Sequence, residues 1–212
     1  MAGHTARRDV EIPIDKTGHA GILRIPGGAS SVVLFAHGSG SSRLSTRNNY
    51  VADVLAEANI ATLLFDLLTE VEDRIYENRF NIDLLTRRLA AATDWIAAQP
   101  DFRGFGVGYF GASTGAAAAL AAAADRAQDI RSVVSRGGRP DLCDRLPLVK
   151  APTLLIVGGL DDIVIELNRT ALARIGGIKE LRIVEGATHL FEEPGTLEEA
   201  ARLARQWFER YL

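Results

Sequence analysis

Ser113 lies in the pentapeptide Gly111-Ala112-Ser113-Thr114-Gly115, between an apolar β-prone run (Val107, Tyr109, Phe110) and an alanine-dominated segment of high helix propensity. Strand, G-x-S-x-G and helix in that order is the context of a nucleophile elbow. A serine on such a sharp turn is strained, and side chains at Gly111 or Gly115 would strike neighbouring backbone. The plain alternative is a turn before a buried helix.

A serine hydroxyl is a poor nucleophile at neutral pH and needs an imidazole base, which in turn needs a carboxylate to fix its tautomer. Of the four histidines, His4 is in the tail, His19 opens an edge strand and His37 introduces a glycine loop ahead of the serine. His189 follows the last expected strand, in Gly186-Ala187-Thr188-His189, after both Ser113 and Asp161. The order Ser, Asp, His along the chain is that of an elbow-bearing α/β sheet. The acid is Asp161 or its neighbour Asp162, with Asp161 preferred from its place in Gly158-x-x-Asp161-x-x-Val164. Either aspartate could instead cap the following helix. An oxyanion would be held by the amide of Thr114, after the nucleophile, and by a second amide from His37-Gly38-Ser39-Gly40. Ser39 is the preferred second donor and Gly40 the fallback. Arg136 and Arg139 stand at another strand end, where a guanidinium could grip a substrate carboxylate in bidentate fashion. They could equally brace their loop through Asp141 or Asp144.

These residues must be positioned by alternating elements. Val10–Asp15 and His19–Ile25 read as a hairpin turning at Thr17-Gly18. Ser31–Ala36, Ile60–Phe65, the run into Ser113, Ile130–Ser135, Thr153–Val157 and Leu181–Glu185 read as further strands. Helical spacing covers Asn49–Asn59, Phe80–Ala98, the alanine segment, Leu167–Ile175 capped by Gly176-Gly177, and Thr196–Leu212 with a possible Thr196/Glu199 capping box. Leu67–Asn78 reads as loop. The expected fold is α/β: about eight strands in a mostly parallel sheet, helices on both faces, one domain over residues 1–212. Ligands of such sheets bind at the carboxyl ends of the strands, which here carry the loops at His37–Ser42, Asp66, Ser113, Arg136–Pro140, Asp161–Asp162 and His189.

Composition narrows the partners. A net charge of −3 with intermixed signs argues against a nucleic-acid or anionic-membrane surface. The lone Cys143 excludes an internal disulfide framework and reads as a packing residue. No motif for nucleotide phosphate and no metal-ligand spacing is present, so neither cofactor nor metal is expected. No apolar leader or spanning run is seen, which points to a cytoplasmic protein. Oligomeric state is not encoded in any pattern found.

Together, His37-Gly38-Ser39-Gly40, the Ser113 pentapeptide, Gly158-x-x-Asp161-x-x-Val164 and Gly186-x-x-His189 resemble the α/β-hydrolase fold, and more narrowly its dienelactone hydrolase-like branch. The resemblance spans nearly the whole chain. It implies cofactor-free hydrolysis of carboxylic esters or lactones through an acyl-enzyme. It departs from that branch in carrying Ser113 where dienelactone hydrolases proper carry cysteine, which points to an esterase-like member. The short Ser135–Thr153 connection leaves no room for a cap domain, so small or soluble substrates are expected. The alternatives are a binding protein that keeps the fold without turnover, or an acyltransferase or peptidase using the same residues.

Overall fold

A computed structural model describes residues 5–212, so His4 lies outside it. In chain order the elements are β1 (Thr5–Ile14), β2 (Thr17–Pro26), β3 (Ser31–Ala36), α1 (Thr46–Glu57), β4 (Ala61–Phe65), α2 (Glu70–Asp73), α3 (Ile82–Ala98), β5 (Gly106–Ala112), α4 (Thr114–Asp125), β6 (Ile130–Arg136), β7 (Thr153–Gly158), α5 (Asp162–Arg174), β8 (Lys179–Val184) and α6 (Thr196–Tyr211). They form one eight-stranded sheet in the order β1-β2-β4-β3-β5-β6-β7-β8. β1, β2 and β4 pair antiparallel, and the remaining neighbours pair parallel. This is the expected α/β-hydrolase architecture.

Successive residues of the central strands are buried on both faces, as continuous apolar runs require. Leu34, Leu63, Tyr109 and Val133 pack under α3 and α4 on one face. Val33, Phe35, Leu64 and Phe110 pack against α1 and α6 on the other. α4 is buried on every side from Thr114 through Ala123, because methyl side chains let its backbone lie close to both sheet and α3. β6 and β7 are joined only by turns of 3-10 helix at Pro140–Leu142 and Leu146–Leu148, with no cap domain between them.

Several local expectations are corrected. The hairpin turns at Asp15-Lys16, whose φ values of 47° and 67° are those of a two-residue turn matching strand twist; Thr17 and Gly18 already belong to β2. The stretch expected as loop, Leu67–Asn78, holds α2, closed by a Thr69/Glu72 capping box, and the start of a 3-10 turn at Tyr76–Phe80. Thr196 and Glu199 form no such box: Gly195 takes the cap position in a left-handed conformation, Thr196 Oγ1 donates to Glu193 O, and Glu199 pairs with Arg202. α5 starts at Asp162 rather than Leu167, with Ile163 exposed against the apolar pattern. Gly176 and Gly177 are not left-handed caps; a Cβ on Gly177 would press on the Lys150 backbone.

Candidate active site

β3 and β5 are neighbours, with Ala36 level with Gly111, yet β3 leads outward to β4 and β5 leads the other way to β6. The two connections diverge and open a crevice at the carboxyl ends of the strands. Ser113 stands there with φ 51° and ψ −123°, a backbone conformation that costs on the order of 1–3 kcal/mol for a residue other than glycine. Three bonds hold it: the Ser113 N–H donates to Arg136 O (3.3 Å), and the Ser113 carbonyl accepts from the Ala116 and Arg139 amides, each at 3.1 Å. The flanking glycines are required by contact. A Cβ on Gly115 would lie 2.5 Å from His37 O and nearer still to Ala36 O; one on Gly111 would lie 2.8 Å from Ala116 N.

The loop after β8 is laced to the loop after β7. Gly159 N–H donates to Val184 O (2.8 Å) and Leu160 N–H to Ala187 O (2.9 Å). This brings His189 Nδ1 to 2.7 Å from Asp161 Oδ2. Asp161 occupies the cap position of α5 but makes no side-chain cap bond, because its carboxylate is turned to the imidazole. Asp162 stays in the first turn of α5, exposed. With Nδ1–H donated to Asp161, Nε2 of His189 is the unprotonated ring nitrogen and has no partner among the described residues. Ser113 and His189 line one cavity of about 210 Å³, with no hydrogen bond between them among the described residues.

His37 and His19 are structural. The Leu67 amide donates to His37 Nε2 (3.0 Å), so Nδ1 carries the proton and donates to Gly38 O. Burial holds its pKa below the ordinary 6.5. The buried His19 bonds the Asp66 carbonyl.

Ser39 lines the cleft, but its N–H is donated to Thr114 Oγ1 at 2.9 Å. The preferred second amide is therefore committed to a hydroxyl in this structure, and Gly40 does not line this cleft. The Thr114 N–H, at the first turn of α4, has no acceptor among the described residues.

The two arginines part company. Arg139 forms a fork with Asp141, Nε and Nη2 at 2.9 and 2.8 Å, and does not line the cleft; Asp144 pairs with Arg145 instead. The loop-bracing alternative thus describes the position of Arg139 in this structure. Arg136 does line the cleft and has no acid partner among the described residues. Its guanidinium lies near the Phe110 and Phe191 rings (5.8 and 5.9 Å) and donates to Asn48 Oδ1 at 3.2 Å.

The sequence reading missed Glu193, whose two oxygens accept from Thr188 N–H (3.0 Å) and Oγ1–H (2.6 Å) and so fix the turn carrying His189. Phe191, in a left-handed conformation at φ 57° and buried, pins the other side of that turn. Neither spacing matches a local motif. Cys143 is buried in the core as expected, and burial pushes its thiol pKa up.

No model of a known protein family matches the sequence. A solved dienelactone hydrolase from Anabaena variabilis ATCC 29413 is 54% identical, with a TM-score of 0.95, over 98% of this chain and 99% of that one. The chain belongs to the dienelactone hydrolase-like family of α/β-hydrolases. Remoter members of the fold include Est1E from Butyrivibrio proteoclasticus (16% identity, TM-score 0.82, 95% of this chain and 98% of that one). Another is the esterase Pf2001 of Pyrococcus furiosus (19%, 0.78, 98% and 93%). At those identities they share the fold alone. Two Mycobacterium tuberculosis proteins, from strains CDC 1551 and H37Rv, are 57% identical over 211 residues, 97% of this chain; their name provisionally makes them phosphoribosyl transferases. The match covers 47% of each, so the chain spans about half the length of these curated relatives. No helix among the described residues is long and apolar enough to cross a membrane.

Proposed function

We propose that this family member is a serine hydrolase of carboxylic esters or lactones. The observation that carries the reading is the 2.7 Å Asp161–His189 hydrogen bond on the wall of the cleft into which the strained Ser113 turns. Ser113 Oγ attacks the substrate carbonyl as His189 Nε2 takes its proton. Asp161 holds the imidazole tautomer and stabilises the imidazolium. The oxyanion forms against the Thr114 N–H, where the α4 dipole also favours negative charge. The Ser39 N–H becomes the second donor once the Thr114 hydroxyl rotates away from it. Collapse expels the alcohol, protonated by His189, and leaves an acyl-Ser113 that water hydrolyses by the reverse sequence.

The uncapped cleft favours small or soluble substrates. An amide in place of the ester would make the same residues a peptidase, and an alcohol or amine in place of water an acyltransferase; a substrate panel separates these. We assign the transferase name of the mycobacterial relatives to the portion of those proteins that this chain does not match. A fluorophosphonate probe tests the reading: the protein should label at one serine, and Ser113→Ala should abolish labelling. Labelling that survives in Ser113→Ala, or none in the parent protein, would overturn it.

A further inference from the structure

Deepening the hydrolase reading and resting on it, we propose that the cleft beside Ser113 contains a subsite for a doubly charged phosphate or phosphonate group on the substrate, built by Arg136, Arg47, Asn48 and the first turn of α1. Arg136 is only 7% exposed, and its Nη1 has no hydrogen-bond partner among the described residues. A buried guanidinium with no counter-charge costs free energy that an anion in the cleft offsets. The neutral amide of Asn48 and two aromatic rings position the group without cancelling its charge.

The second observation is independent. The twelve-residue α1 directs its amino-terminal turn at the same cavity, whose lining includes Ser45, Arg47 and Asn48 and no aspartate or glutamate among the described residues. The Thr46 and Arg47 amides have no acceptors among the described residues. Ser45 Oγ accepts from Asn48 N–H (3.3 Å), which leaves its own hydrogen free to donate. Free amides and a positive dipole end make such a turn an anion site.

Two charges fit better than one. Arg47 stands close enough to Arg136 that its charge, after burial, helps push the Arg136 pKa down. Among the described residues, Arg47 is tied only by one contact of 3.1 Å to Glu192, whose side chain is exposed. A single carboxylate matches one guanidinium fork, whereas three phosphate oxygens can engage both arginines and the helix turn.

The test compares kcat/KM for p-nitrophenyl esters of three short acids matched in length: a neutral one, one ending in a carboxylate and one ending in a phosphonate. Binding of inorganic phosphate to Ser113→Ala is measured alongside by calorimetry. The phosphonate ester should exceed the neutral one by about tenfold or more. That ratio should fall about tenfold in Arg136→Met and about threefold in Arg47→Gln. Phosphate should bind Ser113→Ala and be lost when Arg136→Met is added. If Arg136→Met does not fold, Arg47→Gln carries the test. Turnover of neutral esters with no anion preference overturns the subsite and leaves the hydrolase reading standing. Phosphate binding without turnover of any ester supports the subsite and overturns the hydrolase reading. An equal preference for the carboxylate overturns the doubly charged assignment.

Discussion

Asp161 and Asp162 are adjacent in the chain and face different tasks because a helix begins between them. The first sits at the cap position with its carboxylate turned to His189; the second enters the first turn of α5, where negative charge suits the dipole. Asp161→Asn should lower kcat by on the order of 10⁴, and Asp162→Asn should leave it within about twofold. Steady-state kinetics of the two variants on one ester decides this, and the reverse ranking would remove Asp161 from the mechanism. The sequence brought the choice down to this pair and no further, since which carboxylate reaches the imidazole depends on two loops laced together in space. Gly111 and Gly115 were legible for the opposite reason: their constraint is steric and local to the turn. Arg136 and Arg139 look alike in the chain, and only the three-dimensional positions of Asp141 and Asn48 divide them.

Among the elements, the loop after β8 carries the imidazole on light support. Glu193, half-buried, holds it through Thr188, and those two bonds also keep the Glu193 carboxyl below its ordinary pKa. Glu193→Ala should lower kcat by about tenfold or more through displacement of His189, with KM nearly unchanged and the melting temperature within about 2 °C. A matching fall in melting temperature would make the residue merely structural. The same scale shows why short motifs mislead. Thr69-x-x-Glu72 forms a capping box and Thr196-x-x-Glu199 does not, although the two patterns are identical. The residue before the second, Gly195, takes the cap itself by adopting a left-handed conformation. The central strands were readable because burial on both faces leaves continuous apolar runs. The Asp15-Lys16 turn was not, because aspartate tolerates positive φ but lysine gives no sign of it, while the adjacent Thr17-Gly18 carries the stronger turn signal.

For the whole molecule, acid sensitivity should be set in part by His37, which ties the β3 loop to the start of the segment after β4. Folding keeps it neutral, so its pKa is lower in the folded chain than in the unfolded one. Between those two values the unfolded chain binds more protons, and stability therefore falls as pH drops below about 6.5. Thermal melts from pH 7.5 to 5.5 should show that decline, and His37→Gln, which keeps an acceptor for the Leu67 amide, should flatten it. An unchanged slope would show that other groups govern the effect. The overall architecture also sets where new specificity can be engineered. Behind Ser113 lies α4, seated by alanine methyls against sheet and α3, and that floor has no slack for larger side chains. Any widening of the substrate range has to come from the outer walls, chiefly residues 38–48 and the turn around Leu190, which can be rebuilt while the floor stays fixed.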